Sequence, residues 1–309
     1  MKLLICGGLY GSEGKGCVAD YFARQTQALV AFAESGPNSG HTNSAWCTHC
    51  LPSCAMRANA TLIGPDAVID LDQLARELAQ LPKNARVYVH ENAAITLPDD
   101  RVAEQELGLG RSISSTCTGS GYARYKKYTL RQPNAVAGYY PIPGVTVVKS
   151  AEWLDLVEEL SSFDWIVEGS QGALLDTNFG VYPYVTSRST LPLSIIGRNG
   201  LSCFNWTICS VYRTLPIRTG GPSGPCGGKE LTWVELKLEP EIASTTKRVR
   251  RVFEWSESDF KLSLRLTRPD VVAITHLDYA TDAFVADNIR SHFHGTVIGS
   301  RQPAKFTYL

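Results

Sequence analysis

The sequence predicts an α/β protein: a P-loop-like nucleotide-binding fold with a mostly parallel central sheet. Two observations predict it. The chain opens on a short apolar run at 3–6, followed by Gly7, Gly8, Gly11, Gly14 and Gly16 with Lys15 among them, and then by a segment of helical period. A strand, a glycine loop and a helix in that order make a cradle in which backbone N–H groups and a helix N-terminus face an anion. Further along, short apolar runs alternate with helix-period segments and end in a run at 271–275. Such alternation builds a largely parallel sheet.

Composition sets the bounds. A chain of 309 residues, 44% apolar, is ample for one large core, and we read 1–309 as a single domain. Thirty basic and thirty acidic residues cancel, which argues against a general electrostatic grip on nucleic acid. No stretch reaches the length of a membrane-spanning helix, and the first residues do not read as a signal peptide. Nine scattered cysteines fit a reducing, cytoplasmic compartment. Cys47, Cys50 and Cys54 flank His49 and raise zinc as a possibility, but a fourth ligand at usual spacing is missing, which favours ordinary thiols.

The glycine loop departs from the standard P-loop: five residues separate Gly8 from Gly14, and Gly16 follows Lys15 where Ser or Thr would stand. The first helix is expected over 18–28, with Val18, Tyr21, Phe22 and Ala28 on one face. A second strand at 29–33 runs into the loop 34–42, a strand-end position where α/β proteins keep their chemistry. His41, among Gly40, Thr42 and Asn43 with no apolar pattern, reads as a site residue and not as core. A hairpin is expected over 46–57, a strand at 86–90, and an amphipathic helix over 72–80 introduced by an Asp. The Ser/Thr/Gly-dense stretch 112–121 is either a flexible linker or a second anion site. Arg124, Lys126, Lys127 and Arg131 form either a solvated basic face or part of a site. A helix at 151–160 is expected to turn Trp153, Leu154, Val157 and Leu160 inward, before a strand at 163–167. The polar residues of 168–187 beside glycines are again site-like. The segment 204–215 should be buried, and 218–228 should be a Gly/Pro-rich loop. The run 244–251 is either an exposed basic turn or an anion clamp, since arginine forks match carboxylates.

Together these stretches resemble the adenylosuccinate synthetase family. The motifs are GSEGKG at 11–16, GPNSGHT at 36–42, EGSQGALLDTNFGVYPYVTS at 168–187, STTKRVRR at 244–251 and THLD at 275–278. Family members couple a purine nucleotide to aspartate in two steps with magnesium: the terminal phosphate of a triphosphate goes to O6, and the aspartate amine then displaces it at C6. The resemblance implies that Gly11, Ser12, Glu13, Gly14, Lys15, Gly16 and Cys17, with Gly40, His41 and Thr42, hold the triphosphate. Ser12 and Gly40 would touch Mg2+. His276, Asp278, Gly299 and Ser300 would complete the donor site. Ser12, Lys15, His41 and Gln171 would be catalytic, with His41 the acid facing the moving phosphoryl group. Ser12, Asn38, Ser115, Thr116, Arg131, Gln171, Thr186 and Arg248 would hold the acceptor nucleotide. Arg131 would be offered across a homodimer interface. Ser244, Thr245, Thr246, Arg248 and Arg250 would hold L-aspartate.

Three departures from the family pattern matter. Ser12 stands where the family has the Asp that acts as base at N1. His276 stands where the family has a lysine, which loosens the expectation of GTP towards ATP or dATP. The chain is also shorter, with a run trimmed between Arg131 and the helix at 151. Serine on a trimmed chain is similar to a viral branch, from bacteriophages whose DNA contains 2-aminoadenine. That branch acts on dGMP instead of IMP, in the cytoplasm of the infected cell. Two alternatives remain: an ordinary IMP enzyme using GTP, and a non-catalytic nucleotide-binding regulator.

Overall fold

The computed structural model describes residues 1–281, 283–302 and 305–309. Among these residues ten strands form one sheet: β1 (Lys2–Gly7), β2 (Leu29–Ala33), β3 (Ala60–Ile63), β4 (Val87–His90), β5 (Thr146–Val148), β6 (Asp164–Gly172), β7 (Thr207–Arg213), β8 (Val271–Thr275), β9 (Thr296–Gln302) and β10 (Lys305–Tyr308). Their order across the sheet is β10-β9-β8-β7-β1-β6-β2-β3-β4-β5. Every neighbouring pair is parallel except β9 and β10. The expected α/β architecture is therefore observed, with β1 in the middle.

Alternation along β1 divides the core between two faces. Leu3 and Ile5 pack with Val18 and Ala19 of helix α1 (Lys15–Ala23). Leu4 and Cys6 face the other way, towards Phe32, Trp165 and Trp153. Both faces of the central strands are covered, which is why these strands read as continuous apolar runs. Helices α2 (Leu71–Leu78), α3 (Pro98–Glu106), α4 (Ser120–Tyr125), α5 (Ser150–Glu159), α6 (Pro192–Arg198) and α7 (Glu257–Thr267) follow in sequence.

Several expectations about elements are corrected. Helix α1 starts and stops earlier than 18–28, because Gly14 caps it in a left-handed conformation and Ala28 is drawn to the sheet, accepting the Asp164 N–H at 2.9 Å. The hairpin pairs His41–Thr42 with Cys47–Thr48 instead of spanning 46–57. The Asn43 side chain closes that turn by accepting the N–H groups of Ala45 and Trp46. Trp153 and Leu160 point inward, whereas Leu154 is 58% exposed, and Phe204 is 71% exposed ahead of the buried part of β7. The basic run after 121 is a solvated face only at Arg131. Arg124 is buried against Asp66 at 3.0 Å, and Lys126 against Asp100 at 2.8 Å. Both sit in a helical stretch that continues α4 through Leu130. The cysteine trio does not converge: Cys50 and Cys54 are buried thiols while Cys47 is exposed.

Candidate active site

Two cavities open at the carboxyl ends of the central strands and share a wall. The first, about 280 Å³, is lined by Asn38, Ser114, Ser115, Thr116, Gln171 and Thr186, with Thr245 and Thr246 at one side. The second, about 670 Å³, is lined by Gly14, Gly16, Cys17, Thr42, His276, Asp278 and Ser300. Ser12, Lys15, Gly40, His41, Ser244 and Arg250 belong to both. A group passed from one cavity to the other must cross this wall.

The glycines of the loop are explained by close approach. A Cβ on Gly16 would lie 2.5 Å from the Thr42 carbonyl, so the position after Lys15 cannot carry the Ser or Thr of a standard P-loop. Gly11 and Gly14 adopt positive φ, 87° and 85°, where a side chain is strained. Ser12 is also left-handed, with φ 58°, and two arginines fix it: Arg250 donates to its hydroxyl at 2.7 Å, and Arg213 to its carbonyl at 3.3 Å. Glu13 is fully buried and lines neither cavity. Its carboxylate accepts the N–H groups of Leu9 and Gly11 and holds Lys15 at 3.3 Å, so it shapes the loop from behind. Lys15 also donates to the Gln171 carbonyl at 2.9 Å, which ties the loop to the left-handed end of β6.

His41 is buried, with Nδ1 2.7 Å from Glu168 Oε1 on β6. The other Glu168 oxygen accepts the backbone N–H and hydroxyl of Ser53, both at 2.8 Å. Burial pushes the Glu168 carboxyl up, but the His41 ring and the two Ser53 donors outweigh it, so its pKa lies below the ordinary carboxylate value. A carboxylate on Nδ1 fixes the tautomer that leaves the proton there in the neutral ring. Nε2 is buried without a hydrogen-bond partner among the described residues. An unpaired buried nitrogen is costly, and this one belongs to a residue common to both cavities. Ser114 Oγ and Thr246 Oγ1, on the walls of the first cavity, are likewise buried and unpartnered.

The far end of the second cavity is different in character. The His276 ring is held at Nδ1 by the Thr275 hydroxyl at 2.8 Å. Burial, reinforced by the Arg213 cation, lowers its pKa to about 4 despite the nearby Glu241. It is a neutral group at neutral pH, with Asp278 and Tyr279 beside it.

Most residues expected at the site are brought together, and four are not: Glu13, buried behind the loop as described above, and Gly299, Arg131 and Arg248. Gly299 lines neither cavity: a Cβ there would strike Leu309 and Leu277, so it serves packing of the chain end. Arg131 is exposed and outside both cavities of its own chain. Arg248 is exposed and off both walls, with Nη1 3.6 Å from where a Gly221 Cβ would stand. It is Arg250 that reaches the shared wall. Sequence reasoning missed the Glu168–Ser53 support of His41, and also Arg213 and Glu241. Glu168 had a signal: a lone acid ending a buried apolar run.

The adenylosuccinate synthetase family model matches residues 4–136 and 147–290. The chain belongs to the adenylosuccinate synthetase family. It is accordingly a ligase that forms a carbon–nitrogen bond at the expense of a nucleoside triphosphate. The stretch between the matched blocks falls where the sequence suggested a trimmed run. Among its relatives, the N6-succino-2-amino-2′-deoxyadenylate synthase of Salmonella phage PMBT28 is 31% identical, over 89% of this chain and 85% of that one. The enzyme of the same name from Cyanophage S-2L is 33% identical over 82% and 76%. An adenylosuccinate synthetase of Methanococcus maripaludis is 28% identical over 91% and 86%. A solved structure of the Cyanophage S-2L succinoaminodeoxyadenylate synthetase, bound to dGMP and dATP, superposes with a TM-score of 0.89 at 28% identity, covering 99% of this chain and 94% of that one.

Proposed function

We propose that this ligase joins L-aspartate to C6 of dGMP, with ATP or dATP as phosphoryl donor, and gives N6-succino-2-amino-2′-deoxyadenylate. The observation that carries this reading is the shared wall with serine at position 12. In this reading the smaller cavity takes dGMP and aspartate and the larger one takes the triphosphate. Phosphoryl transfer is mainly positioning and charge stabilisation. Lys15 and the loop N–H groups face the triphosphate, and His41 Nε2 contacts the phosphoryl group as it passes to O6. Gln171 and Thr186 line the nucleotide pocket, and Arg250 with Thr246 meets the aspartate carboxylates.

Serine suits guanine. A carboxylate opposite guanine's N1–H and 2-amino group would form two parallel charge-assisted bonds and stabilise the ground state as much as the transition state, without raising turnover. A hydroxyl leaves room there. The Arg250 donor on Ser12 Oγ also leaves that oxygen a further lone pair and its own proton.

Magnesium fits the residues present. It takes hard oxygen ligands, keeps several waters and leans on substrate phosphates. Ser12 and Gly40, both on the shared wall, would offer it a hydroxyl and a carbonyl oxygen, and no cluster of three or more His, Cys, Asp or Glu among the described residues makes a protein-only cage. When bound, the ion supplies charge neutralisation for the phosphates.

At the donor end, neutral His276 in place of lysine relaxes base selectivity, so ATP or dATP serves as well as GTP. The assembly is a homodimer in which exposed Arg131 reaches the partner's nucleotide cavity, and it works in the cytoplasm of an infected cell. No helix among the described residues is long and apolar enough to cross a membrane.

The test is one assay. The protein is incubated with aspartate, magnesium and ATP, and dGMP, GMP or IMP is offered in turn. Product from dGMP supports the reading. Product from IMP alone makes the chain an ordinary adenylosuccinate synthetase, and no product from any makes it a nucleotide-binding regulator. Strict dependence on GTP would remove the donor assignment.

A further inference from the structure

Four residues on three separate segments close a ring of hydrogen bonds beneath the shared wall. Arg250 Nη1 donates to Ser12 Oγ at 2.7 Å. The Arg250 backbone N–H donates to the Glu241 carbonyl at 2.8 Å. The Glu241 carboxylate accepts from Arg213 Nη1 at 3.1 Å and also from Nη2. Arg213 Nη1 returns to the Ser12 carbonyl at 3.3 Å. The glycine loop, the segment 241–250 and the end of β7 are thereby tied together.

The segment 241–250 is a small hairpin. Ile242 bridges Val249, and the Ala243 N–H donates to the Arg248 carbonyl at 2.9 Å. Its two large apolar side chains do not anchor it, since Ile242 is 53% and Val249 50% exposed, and only the small Ala243 is buried. Arg213, by contrast, is 1% exposed and grips Glu241 at the hairpin base. Burying a guanidinium at a strand end is expensive unless it is fully paired, and an apolar contact would hold a hairpin at lower cost. Here the guanidinium is not even fully paired, since Arg213 Nε is buried without a partner among the described residues. All four residues of the ring line the larger cavity, and Ser12 and Arg250 line the smaller one as well.

We infer that Arg213 and Glu241 are positioning residues that set the aspartate-gripping hairpin from the donor cavity, by holding Arg250 and Ser12 in one register. The inference rests on the reading above that Arg250 and Thr246 receive aspartate. A triphosphate that fills the larger cavity orders the Ser12 loop. Through the ring it orders the Arg250 side chain before aspartate arrives. Such coupling is a free energy and acts both ways: the donor tightens aspartate, and aspartate tightens the donor.

The test uses the whole protein and compares wild type with Glu241→Gln, Arg213→Lys and the double variant. Glu241→Gln keeps the shape and one acceptor and removes the charge. Arg213→Lys keeps the charge but lacks the fork needed to hold Glu241 and Ser12 together. Aspartate and dGMP constants are measured at saturating ATP, and aspartate binding is titrated with and without a non-hydrolysable ATP analogue. The expected result is an aspartate constant raised about tenfold in Glu241→Gln and less in Arg213→Lys. The dGMP constant should stay within about twofold, and the double variant should be no worse than the worse single. The tightening of aspartate by the ATP analogue should shrink in parallel. An aspartate constant unchanged in both single variants overturns the inference. So does a dGMP constant that rises as much as the aspartate constant, because that is general loosening. If wild type itself forms no aspartate-dependent product, the functional reading falls and the inference falls with it. A variant that loses nothing in a protein that does form product sinks the inference alone.

Discussion

The wall between the cavities and the far end of the larger cavity each carry a histidine, and the two are held in opposite ways. His41 has a buried carboxylate on Nδ1 and an Nε2 without a partner among the described residues. Any charge that its ring takes up during the reaction faces Glu168. His276 has a hydroxyl on Nδ1 and an arginine nearby, and it stays neutral down to about pH 4. The carboxylate neighbour suits one ring for moving charge, and the cationic neighbour suits the other for recognition. Residue type alone does not separate them; the partner on the second nitrogen does.

Removing His41 breaks the comparison most severely. A donor to the passing phosphoryl group acts chiefly in the transition state. His41→Ala is therefore expected to lower kcat by roughly 10²–10⁴-fold, the usual worth of a general acid. Substrate binding, followed by calorimetry with dGMP, should change little. Near-normal turnover would take His41 out of the mechanism.

Glu168→Gln is subtler and sharpens the point. The amide can still accept from Nδ1, but it no longer balances charge on the ring. Loss of such a supporting partner is expected to reduce kcat about 10–100-fold, with the dGMP constant nearly constant. If KM rises and kcat does not fall, the carboxylate only holds the loop that carries Ser53.

Arg250→Lys tests the proposal that this side of the wall meets aspartate. A lysine cannot reproduce the planar fork, so the aspartate constant should rise about tenfold while the nucleotide constants move less. An unchanged aspartate constant would place the amino acid elsewhere.

The His276 half of the comparison is visible in stability against pH. Its folded pKa of about 4 lies below the unfolded value of 6.5, so the unfolded chain binds the proton first. Its contribution is complete above about pH 6.5 and is lost as pH falls towards 4. His90, lowered to about 4 by burial, adds a slope of the same sign. His276→Asn should flatten part of the fall in melting temperature between pH 6.5 and 4. A slope identical to wild type would mean that the ring is solvated.

How much of this was legible depends on whether partners are close in sequence. The glycine loop, Gly40–His41–Thr42 and the 168–187 segment carry their chemistry on consecutive residues at strand ends, so pattern reading finds them. The Glu168 partner of His41 lies 127 positions away, and the ring of Ser12, Arg213, Glu241 and Arg250 joins three distant segments. The basic run after 121 misleads for the same reason. Arg124, Arg188 and Arg198 enclose Asp66, with Arg188 and Arg198 also reaching Glu34, and nothing near Arg124 in sequence announces a buried anion. Those arginines hold the Asp66 carboxyl well below its ordinary value against the effect of burial.

Ser12 is expected to give an effect about as small as that of Arg250→Lys, and it concerns the choice between nucleotide substrates. In an IMP enzyme a carboxylate at this position meets N1–H alone and takes its proton. Here the hydroxyl already accepts a bond from Arg250 at 2.7 Å. An aspartate at this position would be gripped by that guanidinium in a charge-assisted bond, and Arg250 would then be less free for the incoming amino acid. Ser12→Asp is therefore expected to do two things at once. Preference should shift from dGMP towards IMP by about tenfold in the ratio of kcat/KM, about 1.4 kcal/mol. The aspartate constant should rise with both nucleotides, because the shared partner has been taken. Measuring kcat/KM for dGMP and IMP, with aspartate varied in each, separates the two effects. If the variant gains on dGMP and not on IMP, serine is not an adaptation to the 2-amino group, and the wall reads the base by some other contact.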